Sequence, residues 1–340
     1  MQGTKKAQQP KGPKIVCIGG GTGHANLLRG LKKITQNITA IVTVSDDGGG
    51  SGVLRDELQI PPPGDIRNCM QALSNAEPTI EKLMAYRFDA GNLSGQSFGN
   101  LFLAAINGIS ESFDKAVIKM GEVLSITGRV LPVSIDDVHL WATFEDGSMV
   151  VGESKIASAK RERKSRIKKI TVAPENAKVL PQCIEAIGSA DVIVFGPGSL
   201  YTSIIPNLLI DGVVTALEKS DALKIYVCNI MTEPGETDEY TVSEHIQGIF
   251  DHTCKQLFDY CIVNAKEINR DILRRYVSEG YEPVKLDEEK IAKLGVEIVK
   301  CELVSPDNTL IRHDSDKLAE RIFDMLINNA PTRLYTKGKP

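Results

Sequence analysis

Short, nearly uninterrupted apolar runs alternate along this chain with stretches whose apolar residues recur every three or four positions. Residues 14–18 and 38–44 are β-branched runs, and 23–33 between them has helical spacing. That order predicts a βαβ unit and with it a parallel sheet. Helical spacing follows over 65–75, 77–88 and 97–108 and continues through 109–124. From Gly128 the pattern changes to alternation over 130–135, 138–144 and 148–154, broken by the hairpin signal Glu145-Asp146-Gly147. A small antiparallel excursion is expected there, about 128–172. Apolar runs resume at 191–195, 224–229, 260–263 and 296–303, and a closing helix is expected over 314–328. Short β-branched strands without a polar face suit a sheet covered on both sides. The expected fold is α/β, a doubly wound three-layer α/β/α (Rossmann-like) sandwich. Residues 14–330 would form its single domain, between a disordered arm, 1–13, and a tail, 331–340.

Composition narrows the function. The 340 residues are 42% hydrophobic and 25% charged, as in an ordinary soluble protein. A net charge of −4 argues against general nucleic-acid binding. The seven cysteines include no C-x-x-C pair, which reads as reduced thiols. The five histidines lack zinc-ligand spacing, and no nucleophile elbow occurs. No signal peptide or membrane-length apolar run is present, so a cytoplasmic protein with no membrane partner is expected. The basic stretch 160–169 has no interleaved aromatics and reads as a solvated loop or strand edge.

The candidate chemistry lies in polar glycine loops at or beside strand ends, where such sheets bind ligands. Gly19-Gly20-Gly21-Thr22-Gly23 follows a strand and opens a helix. Its backbone N–H groups and the helix N-terminus suit a phosphate, with Gly20, Gly21, Thr22 and Gly23 the candidates. The competing reading is a tight turn capped by Thr22. Asp46 and Asp47, after the second strand, suit a ribose hydroxyl or a magnesium ion beside phosphate, or an Asx-turn. Asp65, Arg67 and Asn68 open a later helix. Asp65 suits a cap, and the Arg67 fork suits an anion, with Arg55 a weaker candidate of the same kind. Asn100 suits a base or a loop contact. Gly196, Gly198, Ser199 and Thr202 form a second anion cradle before a helix. Glu236, in a third strand-end loop, suits a helix cap or a sugar hydroxyl.

Six ordered loops carry a family resemblance: GGGTG, SDDGGGSG, PPPGDIRN, SGQSFGNL, GPGSLYTSIIPNLL and NIMTEPGETDEY. Across about residues 14–326 the chain resembles the CofD-like superfamily, and within it the YvcK branch of bacterial gluconeogenesis factors. The resemblance implies a binder of UDP-sugars, notably UDP-N-acetylglucosamine, that supports cell shape and envelope-precursor supply during gluconeogenic growth. It implies action partly through the enzyme that makes glucosamine phosphate, no obligatory cofactor, and leaves self-association open. It assigns UDP-sugar contacts to Tyr276, which can stack on uracil, and Arg312, which can neutralise a diphosphate. It also marks Ser315 as a candidate regulatory phosphorylation site; mass spectrometry finding Ser315 never modified would count against it. The other branch implies an alternative, a magnesium-dependent phospholactate-type transferase with Asp46, Asp65 and Arg67 as its catalytic residues. Gly50, Val53 and Gln96 depart from the family pattern, removing a hydroxyl, a charge and a candidate general acid. Those departures weaken the enzyme reading more than the binding reading. A dinucleotide-dependent oxidoreductase is the least favoured alternative, because the glycine fingerprint is imperfect.

Overall fold

The β-branched runs form strands as their pattern requires, and helices cover both faces of the sheet they build. The computed structural model describes residues 12–254, 256–305 and 310–334. The first half contains β1 (Ile15–Gly19), α1 (Gly21–Leu31), β2 (Ile38–Val42), α2 (Gly49–Leu58), α3 (Gly64–Leu73) and α4 (Pro78–Ala85). It continues with α5 (Phe98–Gly108), α6 (Phe113–Val123) and β3 (Arg129–Pro132). The excursion is β4 (His139–Phe144), β5 (Met149–Val151), α7 (Glu153–Arg163) and β6 (Ile167–Ala173). Then come α8 (Pro181–Ser189), β7 (Val192–Phe195), a π-helical turn (Leu200–Ile204), α9 (Ile205–Leu208), α10 (Val213–Lys219) and β8 (Leu223–Val227). The chain closes with α11 (Val242–His252), β9 (Tyr260–Asn264), α12 (Arg270–Ser278), α13 (Glu288–Lys293), β10 (Glu297–Cys301) and α14 (Ser315–Leu334).

Seven strands form one parallel sheet in the order β10-β9-β8-β7-β1-β2-β3. Ile15 of β1 sits opposite Ile38 of β2 on one side and Val192 of β7 on the other. The chain builds outward from β1 through β2 and β3, then crosses back and builds the other way from β7. That reversal makes the β1/β7 junction the topological switch, where the two following loops splay apart and leave a crevice. β1, β2 and β7 are buried along their whole length, as a doubly covered sheet requires.

Several local expectations change on contact with the tertiary structure. Residues 129–132 are the edge strand of the main sheet, so only β4, β5 and β6 make the antiparallel excursion. The alternation at 130–135 cannot distinguish the two sheets, because it reports one covered face and not the strand's neighbour. The glycine-rich segment 45–52 is a loop only as far as Gly48, and Gly49 opens α2. The helical pattern at 109–124 breaks at Ser112, whose hydroxyl donates to Asp114 at the start of α6. The alternation at 148–154 ends at Val151, where Gly152 (φ 104°) turns the chain into α7.

The basic stretch 160–169 is the end of α7 and the start of β6, and part of it is buried. Lys160 is only 6% exposed and pairs with Asp238 at 2.5 Å. Arg161 donates to the Pro234 carbonyl, and Arg166 pairs with Glu244. Lys168 and Lys169 keep the solvated strand-edge character expected of the stretch. Most of the expected arm 1–13 and the tail's last six residues lie outside the described residues. Gly12 and Pro13 accept hydrogen bonds from Asn37 and Thr35, and α14 extends to Leu334.

Candidate functional site

The crevice at the switch has a volume of about 310 Å³. One wall is the loop from β1 into α1, Gly20 to Gly23, and beside it stands the loop after β7, with Gly198 and Ser199. The N-cap residue of α1 is Gly20, which has no side chain to cap it, and Thr22 is exposed on the crevice wall, so the Thr22-cap reading does not hold; the one first-turn N–H met by a side chain is that of Gly21, bonded to Asp65. First-turn N–H groups of α1 beyond Gly21 are therefore open to an anion at the positive end of the helix. Gly20 and Gly23 are small because space demands it. A Cβ on Gly20 would meet Thr43 Cγ2 at 2.9 Å and crowd Asp65, and one on Gly23 would meet the Pro197 carbonyl at 2.9 Å. Gly196 turns the second loop at φ 75°.

The loop after β8 closes the floor. Asn229 accepts from Gly198 N at 3.2 Å and donates to Gly198 O at 2.9 Å, clamping the second cradle to its neighbour. Thr232 and Glu233 also face the crevice. Burial pushes the Glu233 carboxyl above its usual range, while the Ser199 hydroxyl donates to it and moderates the rise.

The far wall comes from distant sequence. Tyr276 and Tyr281 stand 5.5 Å apart edge to face, and Ile311, Arg312 and His313 complete the wall. The Tyr276 hydroxyl accepts from Ile311 N at 3.1 Å, which fixes the strand-like segment that presents Arg312. His313 is buried and donates from Nε2 to the Cys228 carbonyl at 3.1 Å. Burial lowers its pKa to about 4, so the ring is neutral at physiological pH. Asn26 of α1 reaches the His313 carbonyl at 2.5 Å and ties the two walls together. Arg312 is exposed and is the one cationic side chain on the crevice wall among the described residues.

Of the residues expected from sequence, the structure brings together Gly20, Gly21, Thr22, Gly23, Gly198, Ser199, Tyr276 and Arg312. The others are placed around the crevice. Asp65 lies beneath Gly20 and accepts from Gly21 N and the Asn68 side chain; burial and Asp46 push its pKa up to about 6. Asp46 accepts from Gly48 N at 2.8 Å, and Asp47 accepts from Ser154 N at the start of α7. Arg67 donates to Asn100 Oδ1 at 3.2 Å and Gln71 Oε1 at 3.4 Å, and Asn100 reaches Ser51. Thr202 and Tyr201 N donate to Glu236, which caps the π-helical turn. Ser315 opens α14, its carbonyl packed on Gly30. Arg55, read as an anion candidate, is buried and committed to Asp137 and the Val138 carbonyl.

Asp46 and Asp47 are the carboxylates that the sequence offers a magnesium ion. The two carboxylates serve different neighbours, and among the described residues no three His, Cys, Asp or Glu side chains gather to hold a metal ion. Asn26, Asn229, Thr232, Glu233, Tyr281 and His313 line the crevice without having been singled out. Asn26 and His313 stand close to residues that were, but nothing in their local pattern separates them from core or loop positions.

Comparison with known proteins agrees with this architecture. The family model described as 2-phospho-L-lactate transferase CofD matches residues 15–304. A relative from Thermoanaerobacterium thermosulfurigenes is 54% identical over 315 residues, spanning 93% of this chain and 97% of its own. The gluconeogenesis factor of Bacillus subtilis strain 168 is 47% identical, across 92% of this chain and 98% of its own. The crystal structure of a UPF0052 family member from Bacillus halodurans matches with a TM-score of 0.88 at 46% identity, covering 92% of this chain and 99% of that one. With the family model matching residues 15–304 and relatives matched over more than nine-tenths of its length, the chain belongs to the CofD family, among relatives that include the gluconeogenesis factors.

Proposed function

We propose that this protein binds a UDP-sugar, UDP-N-acetylglucosamine foremost, in the crevice at the β1/β7 switch. It acts as a cytoplasmic regulator of carbon flow into cell-envelope precursors, through an enzyme of glucosamine-phosphate synthesis. One observation carries the reading: the glycine cradle at the α1 N-terminus faces Arg312 and Tyr276 across a single crevice. The cradle and the Arg312 guanidinium suit a diphosphate from two sides, and the Tyr276 ring suits the nucleoside. The relatives' name, gluconeogenesis factor, supports a role in carbon partitioning. Binding regulates only if the ligand favours one conformation of the protein over another.

The transferase alternative has less support, because Asp46, Asp65 and Arg67 do not line the crevice. Isothermal titration with UDP-N-acetylglucosamine, with and without magnesium, tests the proposal. Binding that Arg312→Ala abolishes, with the ligand recovered intact, is the expected result. Metal-dependent breakdown of the ligand, stopped by Asp46→Asn, would establish the transferase, and no binding at all would remove the UDP-sugar reading.

A further inference from the structure

Helix α12 carries Tyr276 over the crevice, yet none of its nine residues is buried. Ile272, Leu273 and Tyr276 are half-buried. They pack on a small apolar cluster, Ile230, Met231, Val304 and Ile311, that stands apart from the main core. Space lies beneath the helix. Tyr276 lines the crevice, and Arg270 and Leu273 line a second cavity, of about 450 Å³, over the ends of β8 and β9. A helix in a protein is held mainly by the packing of its apolar face, and here that packing is thin.

The chain on either side of α12 is anchored. Before it, Asn264 Nδ2 donates to the Lys266 carbonyl at 2.8 Å, and Asn264 Oδ1 accepts from Lys266 N at 3.1 Å and Leu303 N at 3.0 Å. After it, Glu282 N donates to Thr232 Oγ1 at 2.9 Å, and Val284 N to the Ile230 carbonyl at 3.0 Å. Between the anchors, the Tyr276 hydroxyl ties the helix to Ile311 N. Gly280 follows the helix at φ 93°, and a Cβ there would meet nothing nearer than Pro234 at 3.6 Å. That glycine serves its backbone angle, not a lack of space. The facing wall is fixed, since Ser305 N donates to the Arg312 carbonyl at 2.8 Å and His313 to that of Cys228.

A ligand changes the balance of forces on such a helix. Closing it on an empty crevice would take water from Thr232, Glu233, Arg312 and the cradle N–H groups and give nothing in return. A bound anionic ligand supplies those partners. Closure then brings Leu273 and Tyr276 further onto Ile230 and Val284 and removes apolar surface from water. The ligand therefore favours the closed state over the open one, which is the condition for a ligand-driven shift.

We propose that α12 is a lid, hinged between Lys266 and Glu282, that stands open over the empty crevice and closes on the bound ligand. It rests on the UDP-sugar reading of the crevice, and it supplies the two states that regulation by the ligand requires.

Hydrogen exchange of the full chain, read by peptide mass spectrometry with and without UDP-N-acetylglucosamine, tests the lid, with binding measured separately by calorimetry. In the free protein the amides of α12 are expected to exchange at least about tenfold faster than those of β8 and β9, and bound ligand should slow them about tenfold. Ligand contact with Tyr276 by itself protects only the last turn, so a reporter away from the crevice is needed. Leu273 lines the second cavity and not the crevice. In Leu273→Cys the new thiol should react with iodoacetamide about tenfold more slowly in the complex than in the free protein. Free-protein exchange as slow as that of the strands would overturn the lid and leave the proposed function standing. So would ligand binding that leaves labelling of Leu273→Cys unchanged, with protection confined to the turn of Tyr276. A protein that calorimetry shows not to bind would remove the UDP-sugar reading, and the lid with it.

Discussion

At the scale of single residues, the glycines of the first loop act by what they leave out. Gly23→Ala would place a methyl 2.9 Å from the Pro197 carbonyl, and backbone on both sides must move to admit it. The expected cost is about 1–3 kcal/mol of stability. A larger effect is expected in titration, about tenfold weaker ligand binding, because the two cradles are pushed apart. Buried His24 behaves differently. Neither ring nitrogen has a hydrogen-bond partner among the described residues, and burial lowers the pKa from 6.5 to about 4. The folded value lies below the unfolded one, so the unfolded chain takes up protons first as the pH falls. Stability from this group is full above about pH 6.5 and is lost between there and about pH 4. His24→Leu removes that slope, and chemical denaturation should find the variant favoured by about 2 kcal/mol at pH 5 relative to pH 8. An unchanged acid slope would show that His24 is already charged in the folded protein. His24 was legible as part of the loop, but its burial was not, since an imidazole after a glycine run looks the same whether it faces ligand or core.

At the scale of elements, α7 is the piece that sequence reading missed and that braces the site. Its start receives Asp47, and its body supports the loop after β8. Lys160 donates to the Glu236 carbonyl at 3.0 Å and pairs with Asp238, and Gly235 lies close against Ala157. Few apolar residues mark α7, and a polar helix of this kind is held by such contacts more than by a greasy face. Lys160→Met should cost about 1–3 kcal/mol, less than a fully buried pair because Asp238 is partly exposed. It should also weaken ligand binding through Thr232 and Glu233, whereas Lys168→Met on the exposed strand should change neither; melting and titration together check both. Arg55 makes the parallel point for α2. Its guanidinium holds Asp137, and replacement by lysine should not restore stability lost in Arg55→Ala, because an ammonium cannot span the same acceptors.

At the scale of the whole molecule, the crevice joins five separated parts of the chain, so ligand binding should stabilise the fold as a unit. A ligand at a hundred times its dissociation constant adds about 2.7 kcal/mol, enough to raise the melting temperature by several degrees. Arg312→Ala should keep the unliganded melting temperature and lose that rise. No helix among the described residues is long and apolar enough to cross a membrane. The sequence by itself determined the alternation of strands and helices, the doubly covered sheet and the glycine loops at the strand ends. Those are local properties, set by hydrophobic period and by where a backbone must pass without a side chain. Family resemblance added Tyr276 and Arg312, which no local pattern marks. Only the tertiary structure decided that β3 joins the main sheet, that Asp46, Asp47, Arg55 and Arg67 have neighbours of their own, and that Asn26, Asn229 and His313 line the crevice. Strand order and the partners of charged groups depend on contacts between residues far apart in the chain, and periodicity carries no record of those.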